Sequence, residues 1–424
     1  MKLTIVGGGS TYTPELVDGL ARLRGVVPLE EVCLSDLDVH RMETVAGLSR
    51  RMFDRDDYEV AVTTTADPTR AIDGADIVLF QLRIGGQIAR RSDELFPHCC
   101  SVIGQETTGP GGFAKALRTV PVILDLAEIV RERAKPEAWI IDFTNPVGIV
   151  TRALLEAGHR AVGLCNQAIG FQRLFAGLLG VAWDEVDLDH IGLNHLLWER
   201  AAWVDGIDRL GELRANHAAA LAQYVGLPPA LIDLQQAVPC PYLHYYYTHD
   251  EILAQQMAPD AIPRAEQVMA VEAALLTKYA DPSLNTKPPE LAERGGAYYS
   301  EAAVNLMASL MTDRRDRQVV NVRNDGVLPF LPDDHVIEVP ARIGSSAITT
   351  DDSPARRPLD DAAAGLIAHV AAYERLALEA ATRGGRDRLV AALLAHPLVG
   401  QFDKANKLAD ELIRQNRPYL PWAN

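Results

Sequence analysis

Cysteine is scarce in this chain, and where it occurs it forms no recognised pairing pattern. The five cysteines, at 33, 99, 100, 165 and 240, are odd in number and scattered along 424 residues. That excludes a disulfide framework and a CxxC metal or redox hairpin, and a reduced cytoplasm is expected. Long apolar runs are also missing, so no segment approaches a membrane span. Met1 leads almost directly into the strand-like Lys2-Leu3-Thr4-Ile5-Val6, which leaves no room for a signal peptide. Basic charge is in deficit: 41 Lys and Arg stand against 57 Asp and Glu, a net charge of −16. A nucleic-acid partner is not expected, because phosphate neutralisation needs clustered cations. A small phosphorylated ligand needs only two or three of them.

What is present is strand and helix in alternation. Strands are expected at 2–6, 32–36, 58–65, 75–82, 138–144 and 160–165, with amphipathic helices at about 14–24, 40–54, 113–134 and 147–157. Continuous apolar strands joined by helical crossovers predict a parallel sheet covered on both faces. The fold class is therefore α/β, a Rossmann-like doubly wound sheet that binds ligands at the carboxyl ends of its strands. The second half is mixed. It has a strand at 186–194 leading into His195, strands at 317–323 and 335–343, and helices at about 264–280, 298–312, 360–383, 386–395 and 402–415. Residues 350–358 are expected as a surface loop. The length favours two domains, here 1–180 and 181–424.

Several segments carry candidate chemistry. After the first strand, Val6-Gly7-Gly8-Gly9-Ser10-Thr11 opens a helix, as a turn that cradles pyrophosphate would. The third glycine of the dinucleotide fingerprint is absent, with Tyr12 in its place. Asp36, ending the second strand, stands where an acid takes the adenosine ribose hydroxyls, which favours NAD over NADP. A plain strand-to-helix turn is the competing reading. Asn145-Pro146 begins a helix, and from spacing alone Asn145 is a cap. Cys165 alone is a small buried hydrophobe, and His195 in Ile191-Gly192-Leu193-Asn194-His195-Leu196 can be a satisfied core histidine. The segment 241–251 is rich in tyrosine and histidine, a composition more often core or interface than metal site. Arg90, Arg91 and Arg264 are solvated unless an anion sits between them.

Taken in order, GGGSTYTPEL, FQLRIGG, IGQETTGPGGF, FTNPVG, GLCN, GLNHL, PYLHYYY, RGGAYYS, NVRNDG and LPDDHVIEVP resemble glycoside hydrolase family 4 nearly end to end. That family stands outside the usual two-carboxylate scheme. The resemblance implies an NAD- and divalent-metal-dependent glycosidase, with a C-terminal α+β domain like that of lactate and malate dehydrogenases. It makes Cys165 and His195 the metal ligands, usually of manganese, and Tyr242 the base. Arg90, Asp93, Asn145 and Arg264 match substrate-contacting positions, with the arginines placed for a 6-phosphate. Asn166 is similar to the branch that cleaves 6-phospho-β-glucosides, where the α branch carries Asp. Assembly as a dimer or tetramer is implied. Three positions depart from the family pattern: Ala168, His244 and Glu266 stand where proline, arginine and a basic residue are usual.

The implied reaction oxidises C3 of the sugar with NAD, removes the C2 proton, eliminates the aglycone from C1, adds water and returns the hydride. A tyrosine has a pKa near 10, so it needs a neighbouring cation to act as base at neutral pH. The competing function is an NAD-dependent 2-hydroxyacid dehydrogenase. Those enzymes need an aspartate paired with histidine, and Cys165-Asn166-Gln167-Ala168-Ile169-Gly170 holds no acid where it would lie. A catalytically dead NAD-binding regulator is a third reading, and the retention of Cys165, His195 and Tyr242 speaks against it.

Overall fold

Six short apolar runs set the first half of the molecule. In the computed structural model, which describes residues 1–295, 298–350 and 359–423, they form β1 (Lys2–Val6), β2 (Glu31–Ser35), β3 (Ala61–Thr65), β4 (Ile77–Phe80), β5 (Trp139–Asp142) and β6 (Ala161–Gly163). All pair in parallel, in the order β3-β2-β1-β4-β5-β6. The chain winds outward from β1 to one edge, returns and winds to the other, so a crevice opens above β1 and β4. β4 and β5 are buried at every position, which explains why they read as continuous apolar runs rather than alternating ones.

Seven helices connect these strands and lead out of the last: α1 (Thr13–Arg22), α2 (Val39–Arg55), α3 (Pro68–Ile72), α4 (Gly86–Leu95), α5 (Gly109–Arg133), α6 (Val147–Glu156) and α7 (Gln167–Leu179). α5 starts four residues before its expected position. Pro110 fits its first turn, where the missing N–H costs nothing. α4 was not expected from the sequence. It starts behind Gly85 and Gly86, both at positive φ, and those glycines obscure a helical pattern.

The second half extends the same sheet. It adds β7 (Asp187–Leu193), β8 (Leu196–Val204), β9 (Ile207–Asp208), β10 (Val238–Pro239), β11 (Arg317–Arg323), β12 (Val336–Ile343) and β13 (Ile348–Thr350), all antiparallel to their neighbours. Among the described residues one path runs through the sheet in the order β10-β8-β7-β12-β11-β6-β5-β4-β1-β2-β3, with β9 and β13 at its side. One single-residue bridge closes the seam between the halves, Asn321 of β11 opposite Gly163 of β6, and a second joins β12 to β7 within the second half, Glu338 opposite Gly192. β8 was not foreseen. Its LLWERAAWV is buried at eight of nine positions, so the alternation that marks a half-buried strand is absent.

The helices Arg264–Tyr279, Tyr299–Thr312, Asp361–Arg383, Arg386–Ala395 and Phe402–Asn416 fall where the sequence placed them. One apolar cluster runs from Leu3 and Ile5 through Trp198 and Ile337 to Leu412. No helix among the described residues is long and apolar enough to cross a membrane. The surface loop expected at 350–358 lies, from residue 351 on, outside the described residues.

Candidate active site

The carboxyl ends of β1, β2 and β4 open into a cavity of about 1080 Å³. One end is the glycine turn. Gly7 lies at φ +89°, where a side chain would be strained, and a Cβ there would come 2.6 Å from the Gln81 carbonyl oxygen. A Cβ on Gly9 would come 2.8 Å from Asp36 Oδ2. Asp36 instead accepts the Gly9 N–H at 2.9 Å and the Asp38 N–H at 3.0 Å. Gly7, Gly9, Ser10 and Asp36 line the cavity. Gly8 and Thr11 do not line it. Gly8 packs on Leu34, and Thr11 is buried with its hydroxyl donating to Glu272 at 3.3 Å.

The other end is aromatic. Asn194 and His195 form the two-residue tip of the β7–β8 hairpin, with His195 at φ +64°. Its ring stacks flat on Tyr242, with centroids 3.8 Å apart and planes 7° apart. His195 Nδ1 meets the Thr107 hydroxyl at 3.1 Å. Burial pushes the imidazole down to about 4, so near neutral pH it is uncharged, with Nε2 available as a ligand. Cys165, at the end of β6, is buried behind this pair. Asn194 and Tyr299 hydrogen-bond to its thiol, while burial and then the Glu338 carboxylate push its pKa upward. Burial also raises the Tyr242 phenol well above its ordinary value, and the negative charge that Cys165, Tyr245 and Glu106 can carry adds to the shift.

This donor set fits a divalent cation in one specific way. No group of three or more His, Cys, Asp or Glu suited to a metal exists among the described residues, so Cys165 and His195 would be joined by other oxygens, from an amide such as Asn166, whose Oδ1 lies 4.0 Å from the thiol, or from outside the protein. Oxygen donors shift the preference of a thiolate–imidazole pair from zinc toward manganese. The burial that opposes a lone thiolate is offset once a cation sits beside it.

The remaining candidates divide. Arg90, Asn145, Asn166 and Arg264 all line the cavity. Asn145 caps nothing: α6 has no side-chain cap, and the Asn145 Oδ1 is buried without a partner. It is therefore a polar group presented to the cavity, a correction to the capping expected from spacing. Asp93 is a second correction. It is 1% exposed and does not line the cavity. Both its oxygens face the Arg118 guanidinium, one at 2.9 Å. It anchors α4 to α5 and has no free edge for a substrate. Asp93→Ala is expected to cost about 3–5 kcal/mol of stability by stranding a buried arginine, read as a lowered urea midpoint. Glu266 pairs with the half-exposed Arg91, so neither of these two reaches the cavity.

Several other lining residues carry no role in the sequence-based expectations. Glu106 is held among Arg83, Arg90 at 3.2 Å and Lys115 at 2.9 Å. Arg90 also pairs with Glu94 at 2.7 Å, so three cations face two carboxylates, and burial lowers Lys115 to about 7. Arg41 and Arg294 share Glu272 at 3.2 and 3.1 Å. Arg83 and Glu106 lie in FQLRIGG and IGQETTG, so the signal was present, but only spatial convergence gives it meaning. His244 also lines the cavity, with a buried Nε2 that has no partner.

A doubly wound sheet with its glycine turn at the crevice, extended by an antiparallel layer that brings His195 and Tyr242 to the same cavity with Cys165 buried beside them, defines an α/β protein of the dehydrogenase-like kind. Malate dehydrogenase from Salinibacter ruber shares this fold, with a TM-score of 0.53 at 17% identity over 90% of this chain and 98% of its own. The family 4 glycosyl hydrolase model matches residues 2–181, and the model of that family's C-terminal domain matches 190–399. The chain belongs to family 4 of the glycosyl hydrolases. It is 36% identical over 439 residues to a probable 6-phospho-beta-glucosidase of Bacillus subtilis strain 168, covering 99% of this chain and 97% of that one. The 6-phospho-beta-glucosidase of Thermotoga maritima, solved with manganese, NAD+ and glucose-6-phosphate, superposes with a TM-score of 0.91 at 33% identity, covering 99% of both chains.

Proposed function

We propose that this chain hydrolyses 6-phospho-β-glucosides with NAD and a divalent cation, best met by manganese. The observation that carries the reading is one continuous cavity. It joins the Gly7–Asp36 end, suited to a dinucleotide, to the His195–Tyr242 stack, with Arg90 and Arg264 on its walls. When bound, NAD supplies a hydride acceptor for C3 and the cation a Lewis acid that makes the C2 proton removable. The rest falls to the chain. Asp36 and the glycine turn hold the cofactor. Arg90 and Arg264 hold the phosphate, and Asn145 and Asn166 orient the sugar. Tyr242 carries the C2 proton at its phenolic oxygen once Cys165 and His195 hold a cation near it. Leu82, Phe143 and Tyr299 keep the cavity wall apolar.

The dehydrogenase reading finds no support in the histidine's partner. His195 Nδ1 rests on a threonine hydroxyl, whereas the dehydrogenase mechanism needs a carboxylate there. We further take the chain to divide near residue 180 into a cofactor half and a metal and substrate half. We place it in a reducing cytoplasm as a dimer or tetramer, which fits the free state of Cys33, Cys99, Cys100, Cys165 and Cys240.

A panel of p-nitrophenyl glucosides tests the substrate assignment with NAD and manganese present. Asn166 predicts β over α. Arg90 and Arg264 predict 6-phosphorylated over free sugars by about a hundredfold or more in kcat/KM, since charge-assisted bonds are roughly twice as strong as neutral ones. Equal kcat/KM for phosphorylated and free β-glucosides would remove the phosphate assignment.

A further inference from the structure

The two candidate metal ligands come from opposite sides of the seam between the parallel and antiparallel parts of the sheet. Cys165 lies two residues beyond Gly163, and His195 lies three residues beyond Gly192. Each glycine is one end of a single-residue bridge, Gly163 opposite Asn321 across the seam and Gly192 opposite Glu338 within the antiparallel part. Asn321 and Glu338 are themselves paired across β11 and β12. The backbone path from Cys165 to His195 therefore crosses a junction of single-residue bridges.

Side chains tie that junction together. Glu338 Oε2 accepts Asn321 Nδ2 at 2.9 Å and Asn194 Nδ2 at 2.7 Å. Its Oε1 faces His190 Nε2 at 3.1 Å, and His190 Nδ1 faces Glu199 at 2.6 Å. Glu338, Asn321, His190 and Glu199 are at most 1% exposed. Asn194, at the hairpin tip, also hydrogen-bonds to Cys165. One carboxylate thus holds β11, β12, the body of the hairpin through His190, and its tip through Asn194. Room for this is built in: a Cβ on Gly163 would lie 2.9 Å from the Asn321 Cβ and 2.2 Å from the Thr151 hydroxyl.

We propose that Glu338, acting through Asn194, is the positioning residue that fixes Cys165 and His195 at the spacing a single divalent ion requires. The inference rests on the metal assignment made above. Partners behind a metal ligand that orient it are worth about ten- to a hundredfold in affinity. Glu338 touches no reacting atom. Its role is geometric, so a glutamine that keeps its shape preserves that role: the carbonyl oxygen accepts from the two asparagines, and the amide donates to His190 Nε2 once that ring, no longer facing the Glu338 charge, gives up its Nε2 proton and keeps the Nδ1 one on Glu199.

The test is manganese affinity, titrated in the presence of NAD, with NAD affinity measured separately. Asn194→Ala and Glu338→Ala are expected to weaken manganese binding by about tenfold or more with NAD affinity unchanged. Glu338→Gln should stay close to the parent enzyme. Manganese affinity like the parent's in both alanine variants would overturn the proposal. So would a Glu338→Gln affinity as weak as that of Glu338→Ala, which would show that charge acts rather than position. If Glu338→Ala fails to fold, Asn194→Ala decides, because it leaves the Glu338–Asn321–His190 contacts intact. If the parent itself binds no manganese, the metal assignment falls, and crystal structures of the variants decide the positioning claim. A displaced hairpin tip and a broken His195–Tyr242 stack in Asn194→Ala, with both kept as in the parent in Glu338→Gln, support it; superimposable tips in Asn194→Ala overturn it.

Discussion

Tyr242→Phe is expected to lose about a hundred- to ten-thousandfold in kcat, the range of a general base, while its affinities for NAD and manganese stay at the parent's values. The ring makes the flat stack on His195, and phenylalanine keeps that ring, so the fold and the stack should persist. What disappears is the phenolic oxygen assigned to move a proton between sugar and protein at this end of the cavity. The phenol is poorly acidic as the chain stands, because burial and nearby negative groups all oppose its ionisation. A cation held by Cys165 and His195 would reverse that balance, so the base would exist only in the loaded enzyme, and the Tyr242 pKa should fall when manganese is added. Tyr242→Phe with normal turnover would move the role to Tyr245 or His244, which also line the cavity.

Cys165→Ser and His195→Ala should each lose bound manganese and activity together, activity by about a thousandfold or more, since a Lewis acid stabilises developing charge by several kcal/mol. NAD binding, at the far end of the cavity, should be largely unaffected. His195 sits at φ +64°, a left-handed strain of about 1–3 kcal/mol that alanine keeps and glycine relieves. In His195→Gly, thermal stability is therefore not expected to fall in step with activity, and that separates loss of a ligand from loss of structure. Normal metal content in either variant would break the assignment of the pair.

Much of this was legible in the sequence because it is local. The parallel strands are continuous apolar runs, the glycine turn is contiguous with β1, and Asp36 ends the next strand, so neighbouring residues carry the signal. Cys165, His195 and Tyr242 were named through family resemblance. By spacing alone each had an ordinary reading, and their adjacency is produced by the seam and the hairpin. Asp93 shows the limit of carrying a role over by position. It sits in the right segment, one turn from Arg90, yet helical rotation turns it toward Arg118. Asn145 errs the other way, since spacing made it a cap and the structure leaves its oxygen unpaired. Arg83, Glu106 and Lys115 were unreadable as a group because their cluster joins a strand end, a loop and a helix.

The central claim is that the glycosidic bond breaks by oxidation and elimination rather than by acid-assisted displacement. Its most direct measurement is turnover of a 6-phospho-β-glucoside in heavy water, with the released sugar phosphate analysed by NMR. The account predicts deuterium at C2, appearing only when both NAD and manganese are supplied. Cleavage that leaves the C2 proton in place, or that proceeds at full rate without NAD, would contradict it.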